Sequence, residues 1–320
     1  MPRATATAHP NIALVKYWGK RDLGLNLPAV PSLSLTLDGF RTTTTVTWGA
    51  QADAVFVGPN PAPARFAARA LAFLDVCAPD RPPVRIDTAS NFPAGAGLAS
   101  SASGFAALTV AASAASGRHR SPAELSALAR RGSGSACRSL FGGFVEWPAG
   151  ERSDGTDSHG VPVLAADAWD VAMVVGVVAS KEKHIGSTEA MERSRVTSPN
   201  YDTWVARGPA DVDEARRAVL ARDLPRLGEV MEASTLRMHA VMHTSIPAVV
   251  YWLPGTVACL HAVWDLRARG TGAWTTMDAG PNVKVLCARA DAAAVKAVMA
   301  PHTEAVHVLG PGGPATLVTP

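Results

Sequence analysis

Residues Pro93 to Gly104 read PAGAGLASSASG, three glycines and three serines in twelve positions, and the chain runs from them straight into the small-residue apolar stretch FAALTVAASAA. Glycine loses the most backbone freedom on folding, so a glycine-rich turn at the mouth of a buried helix is costly unless something needs bare backbone there. A helix start supplies such a use. Its first N–H groups lack partners within the helix, its dipole is positive at that end, and glycines let an anion approach the backbone. Ser100, Ser101 and Ser103 add hydroxyls that serve as donors or as ligand oxygens for Mg²⁺. On local chemistry the segment reads equally as an anion cradle or as a glycine turn with a serine cap. It carries neither G-K-[ST] nor the strand–turn–helix spacing of G-x-G-x-x-G.

A second element of the same kind adds weight to the anion reading. RRGSGSACRSLFGG, Arg130 to Gly143, again uses glycine and serine to enter a short helix, with Arg138 three residues after Ser135 on the same face. Two such helix starts in one domain predict a substrate that carries several phosphates.

The chain has 320 residues, long for one core, and at roughly 150 residues per domain two domains are expected. With 48% hydrophobic and 18% charged residues it reads as globular; its net charge of +3, with no Lys/Arg block longer than a pair, argues against nucleic acid as a partner. Cys77, Cys137, Cys259 and Cys287 are scattered without a C-x-x-C pair, and MPRATATAHP lacks the apolar segment of a secretory leader, so a reducing cytoplasm is expected. The most apolar run, VAMVVGVVA, is far shorter than the roughly 20 residues that cross a bilayer and reads as a buried strand.

Strands are expected in NIALVKYW, PSLSLTL, RTTTTVTW and Val84 to Thr88, and helices over Pro63 to Asp75, Ser100 to Ala115 and Pro122 to Arg131, the last capped by Ser121. Periodicity lapses over Trp147 to Pro162, just before a domain boundary. Beyond it come the strand WDVAMVVGVVAS, helices between Gly186 and Gly270, the strands AWTTMDAG and VKVLCA, a terminal helix and strand, and a flexible tail GPGGPA. The class is α+β in two domains, 1–168 and 169–320.

HPNIALVKYWGKRD with LNLP, NFPAGAGLASSASGFAAL, RRGSGSACRSLFGGFVEW, GSTEAM and MDAGPNVKV together resemble the ordered motif series of the mevalonate diphosphate decarboxylases, within the GHMP superfamily of small-molecule kinases. The match runs from Ala8 to Leu286. The resemblance implies a GHMP-kinase fold with an N-terminal domain like the second domain of ribosomal protein S5 and a ferredoxin-like C-terminal domain. It also implies an active site in the cleft between them, ATP with Mg²⁺, and a homodimer. Two segments depart from the family pattern: Val30 and Pro31 stand where an Asn-Ser pair is usual, and HAVMHTSIPAVVYW lacks the Phe-Pro-Pro turn.

On local pattern Asp278 is a turn aspartate bonded to its own backbone. The resemblance makes it the catalytic aspartate, orienting or deprotonating a tertiary hydroxyl. Arg138, locally a surface helix arginine, aligns with the arginine that holds the substrate carboxylate, a task for a planar bidentate donor. Ser133 and Ser135 would bond substrate oxygens, although capping alone explains one of them. Lys16 and Lys20 read locally as solvated lysines at a strand end; by resemblance Lys16 lies near the reacting groups, and Tyr17 and Lys20 lie near the substrate diphosphate. Asn11 matches a substrate-side residue and Asn26 an ATP-side one. Ser187 is either a phosphate contact or a helix cap. Pro93, Gly95, Gly97, Leu98, Ser100, Ser101 and Ser103 form the expected ATP-phosphate loop. The metal ligands stay open. His239 and His243 stand four apart without a third ligand and read as ordinary helix residues.

The implied reaction is ATP-dependent decarboxylation of mevalonate 5-diphosphate to isopentenyl diphosphate. Rivals are a decarboxylase of the 5-monophosphate, a kinase that does not decarboxylate, and, from another class, an S5-like RNA-binding module, for which the chain shows no clustered basic, aromatic face.

Overall fold

The computed structural model describes residues 2–92, 100–180 and 184–318. Its helices, in chain order, are α1 (Ala64–Cys77), α2 (Ser100–Ala115), α3 (Pro122–Gly132), α4 (Ser187–Thr197), α5 (Tyr201–Ala221), α6 (Leu224–His243), α7 (Pro254–Ala268) and α8 (Ala292–Met299). The helix and strand expectations of the first half hold to within a few residues, because each is bounded by a local signal. Ser121 and Glu124 close a capping box at the start of α3, with Pro122 in its first turn.

Among the described residues the first half carries two larger sheets besides the two-stranded pair Lys20–Asp22 and Leu27–Pro28. A six-stranded sheet is ordered 316–317, 3–8, 42–48, 84–90, 54–57, 60–61, and a four-stranded sheet is ordered 161–164, 144–147, 32–36, 11–15. Thr42–Trp48 alternates buried and half-buried residues along its length, as a strand with one face on a core must. The helix α2 covers that face. Its side chains are mostly alanine and serine, so its backbone lies close to the sheet and nearly all of it is buried.

The second half builds an antiparallel sheet ordered 273–277, 283–288, 171–177, 305–309, with α5 and α6 packed together beside it. Val171–Val177 is buried at every position, as its unbroken apolar run requires. The halves do not keep separate cores. One cluster joins Ile12, Leu14 and Leu33 to Val171, Met173, Val212, Leu227 and Leu286.

Two expectations are corrected. The tail GPGGPA is not loose: Gly312 donates to Thr36 O (2.7 Å) and accepts from Gly143 N (2.9 Å), and Thr316–Leu317 pairs with the first strand. Close backbone approach explains Gly312, since a Cβ there would lie 2.4 Å from Leu37 O. The residues after 310 therefore return to the N-terminal sheets. The first strand, Arg3–Ala8, went unread because its alternating Ala and Thr carry little apolar signal.

Candidate active site

Strand Ala273–Met277 ends at Asp278, the chain turns through Ala279 and Gly280, and strand Val283–Ala288 returns antiparallel with Lys284 opposite Thr276. The return sets Lys284 Nζ 3.1 Å from Asp278 Oδ2. From the other half, Lys16 leaves the strand Asn11–Val15 with its N–H donating to Ser234 Oγ on α6, and its Nζ reaches Asp278 Oδ1 at 2.7 Å and Ala13 O at 2.9 Å. Both lysines are 1% exposed and the carboxylate 27%, so the aspartate alone faces open space.

Burial by itself would raise the Asp278 pKa, but the two ammonium groups outweigh it and hold the carboxyl well below the usual carboxylate range. Burial pushes Lys16 down to about 8; Asp278 opposes this, and Lys284 and Arg138 add to it. Two ammonium groups thus hold one carboxylate, a surplus of positive charge that suits an anionic ligand. Lys284 was missed by the sequence reading. Its signal is a lone lysine inside the otherwise apolar strand VKVLCA.

The second glycine-serine turn forms a 3₁₀ helix, Gly134–Leu140, where residues three apart eclipse, so Ser135 and Arg138 do share a face. Arg138 is 2% exposed. Its Nε donates to Asn11 Oδ1 (3.2 Å), its Nη1 donates to Ser32 Oγ, and it lies over the Trp147 ring at 5.6 Å. None of these partners is anionic, so neutral groups hold the guanidinium in place with its charge available to a carboxylate; burial lowers its pKa and the Asp278 charge opposes this. The Asn11 amide donates to Ser135 O (2.9 Å) and Ser139 Oγ (2.7 Å) while its oxygen takes the Arg138 bond, which ties it to the arginine.

Tyr17 packs at a tilt against Trp147, 4.8 Å between centroids, and its buried hydroxyl has no partner among the described residues. It rests on the turn: a Cβ on Gly134 would lie 2.8 Å from Tyr17 Oη, which explains the glycine between the two serines. Burial raises its pKa, so the hydroxyl remains a donor. The two glycine-serine turns meet, since Ser133 Oγ lies 3.4 Å from both Ser101 Oγ and Ser135 Oγ.

Ser100 opens α2 and Ser101 is exposed beside it. Ser103 is fully buried and bonded to Thr42 Oγ1 at 2.7 Å. Pro93, Gly95, Gly97 and Leu98 lie outside the described residues.

A cavity of 280 Å³ lies at the end of α3, lined in part by Lys20, Asn26, Arg69, Arg131 and Thr188. Burial and then the Arg69 charge lower the Lys20 pKa. Asn26, at φ 54°, also donates to Arg130 O and Arg131 O at the end of α3 (3.1 and 3.0 Å). Ser187 is the first residue of α4; the capping position is Gly186. Arg69 and Arg131 were not foreseen, because a helix arginine carries no sequence signal of the cavity it faces. His239 and His243 pack their rings on Trp252, and burial pushes His239 down to about 3.

The sequence model of the diphosphomevalonate decarboxylase-like N-terminal domain matches residues 8–160, and that of the mevalonate 5-diphosphate decarboxylase C-terminal domain matches residues 173–308. The diphosphomevalonate decarboxylase of Aspergillus fumigatus is 39% identical, covering 94% of this chain and 82% of its own. The human one is 36% identical over 88% and 76%. Among solved structures, the complex of MDDEF with MVAPP, AMPPCP and magnesium superposes at a TM-score of 0.92 with 37% identity, over 99% of this chain and 98% of that one. The mevalonate diphosphate decarboxylase of Staphylococcus aureus superposes at 0.93 with 33% identity over the same shares. With both halves matched in order and the whole fold superposed, the chain belongs to the diphosphomevalonate decarboxylase family.

Proposed function

We propose that the chain converts mevalonate 5-diphosphate and ATP to isopentenyl diphosphate, CO₂, ADP and phosphate. The observation that carries this reading is Asp278 held between Lys16 and Lys284, beside a buried Arg138 with no anionic partner among its bonds. A tertiary hydroxyl is a poor leaving group, so its oxygen takes the γ-phosphoryl group first. Phosphate then departs with the C–O electrons, and the C–C bond to the carboxylate supplies the alkene pair as CO₂ leaves.

In this reading Asp278 orients the 3-hydroxyl and opposes the positive charge that develops at its carbon. Its depressed pKa makes it a poor proton store, which suits a loose phosphoryl transfer in which the nucleophile's proton leaves late. Lys16 stabilises the transferring phosphoryl oxygens and Arg138 holds the carboxylate. Tyr17, Lys20 and Ser187 meet the diphosphate, with Ser133 and Ser135 on substrate oxygens. Ser100, Ser101, Asn26 and the turn with Pro93, Gly95, Gly97 and Leu98 meet ATP. The hydroxyls of Ser100, which opens α2, and of the exposed Ser101 beside it are hard oxygen donors that fit Mg²⁺, which when bound would neutralise charge on the ATP phosphates. The domains divide at 168/169, apart from the returning tail. The four free, buried cysteines support a reducing cytoplasm, and no helix among the described residues is long and apolar enough to cross a membrane. A homodimer belongs to the same reading, and sedimentation as a monomer at micromolar concentration counts against it.

ADP and CO₂ are expected in equal amounts when both are followed in one vessel. Mevalonate 5-diphosphate should be preferred over the 5-phosphate by roughly ten- to hundredfold in kcat/KM, the effect of a lost charge-assisted contact. ADP without CO₂ leaves a kinase, and equal use of the monophosphate leaves the other decarboxylase.

A pH profile tests Lys16. It is an ammonium below about 8 and an amine above, so kcat/KM should fall as pH rises through that value. Lys16→Arg, slower throughout, should lose this alkaline limb because the guanidinium does not titrate there. A profile flat to pH 9.5 in the unaltered protein removes the charge requirement.

A further inference from the structure

The ends of the glycine-rich turn converge on one hydroxyl. Thr42, 3% exposed, starts the strand Thr42–Trp48, and its Oγ1 lies 2.8 Å from Ser90 Oγ and 2.7 Å from Ser103 Oγ. Ser90 is the last residue of the strand that enters the turn, paired in register with Thr42, and Ser103 sits in the first turn of the helix that leaves it. One hydroxyl has a single proton and two lone pairs, enough for both contacts, and the direction around the Ser90–Thr42–Ser103 chain is free to suit its ends. Ser103 Oγ also lies 3.4 Å from Ser100 O, so the chain reaches the residue that opens α2. Nearby contacts brace only the entry: Asn91 accepts from Arg41 N (2.8 Å) and donates to Gly39 O (2.7 Å), and Phe92 stacks on Phe40 at 5.0 Å. Thr42 alone of these residues ties entry and exit together.

We infer that Thr42 is a positioning residue for ATP: by fixing the exit of the strand Val84–Ser90 against the first turn of α2, it sets the gap that the glycine-rich turn spans and the direction of the α2 N–H groups. This rests on the reading of that turn as the ATP-phosphate loop. A threonine elsewhere in the sheet does not have this leverage; Thr44, bonded across to Thr88 at 2.9 Å, joins strand to strand only. Removing the Thr42 hydroxyl leaves the fully buried Ser103 without that partner, so the first turn of α2 relaxes where the phosphates are to be gripped.

The test is steady-state kinetics with each substrate varied in turn, together with the melting temperature. Thr42→Val, close in shape, should raise the KM for ATP about five- to tenfold and leave the KM for mevalonate 5-diphosphate within about twofold, and Thr42→Ser should restore the ATP value. Ser90→Ala, at an exposed position, should raise the KM for ATP by a smaller factor and gives the same readout if the valine variant fails to fold. Gly97→Val separates the two readings. If it raises the KM for ATP while Thr42→Val and Ser90→Ala do not, the turn binds ATP and the role of Thr42 is overturned. If none of the three changes ATP kinetics, the phosphate-loop reading falls and takes the inference with it. Equal rises in both KM values, or a lower melting temperature with unchanged KM values, reduce Thr42 to a structural residue and also overturn it.

Discussion

Asp278→Asn is expected to fold, to bind ATP and mevalonate 5-diphosphate, and to lose about three orders of magnitude or more in kcat. The change keeps the shape of the side chain and deletes the negative charge that lies 2.7 Å from Lys16 Nζ and 3.1 Å from Lys284 Nζ. Two buried ammonium groups then lack their counter-ion. Losing one partner of a fully buried pair costs about 3–5 kcal/mol, but the carboxylate is 27% exposed and water offsets part of the loss, so the stability effect should fall below that range. Binding by calorimetry, melting temperature and single-turnover CO₂ release separate lost chemistry from lost fold. A second signature follows from the electrostatics. Without the carboxylate that holds it up, the Lys16 pKa falls below its value of about 8, and the alkaline limb of the residual activity moves to lower pH. Turnover near that of the unaltered protein in a folded, ligand-binding variant removes Asp278 from the mechanism.

Arg138→Lys should lose about a hundredfold in kcat/KM although the formal charge is kept. The guanidinium donates from Nε to Asn11 and from Nη1 to Ser32 at once and lies over Trp147. An ammonium is a point donor that cannot hold those contacts and still present two parallel N–H groups to a carboxylate. At 2% exposure it would also be pushed toward the neutral amine. The loss is expected in the KM for mevalonate 5-diphosphate and in kcat, with the KM for ATP unchanged. If Arg138→Lys behaves as the unaltered protein while Ser135→Ala does not, recognition belongs to the hydroxyl turn and the arginine is structural.

How much of the site was legible depended on the range of each signal. The start of α2 and the turn before the Gly134–Leu140 helix were readable because glycine, serine and helix-start preferences act over a few residues. Their meeting at Ser101 and Ser133, 3.4 Å apart, joins positions 32 residues apart and left no local mark. Lys16 and Asp278 were assigned through motif resemblance, whereas Lys284 passed unnoticed because a lysine in a strand ordinarily places its charge in water, and only the return of the strand beside Asp278 shows why this one is buried. Asn11 and Ser103 were named by motif, and only the structure shows that they are bonded to Arg138 and Thr42. A side chain that faces inward from its element serves its neighbours, and facing is a tertiary property.

By itself the sequence determined the α+β class, the main helices and strands, the two anion-friendly helix starts and, through the order of its motifs, the family. Periodicity, caps and turn residues are short-range, and each element carries its own. The tertiary structure alone decided that the halves share a core through Ile12, Val171 and Leu286, that the tail returns to the first strand, and that Lys16, Asp278 and Lys284 form one cluster. Those outcomes are set by packing between segments far apart in the chain, such as Ala6 against Leu317, 311 residues on, where burial and charge balance act only after the chain has closed.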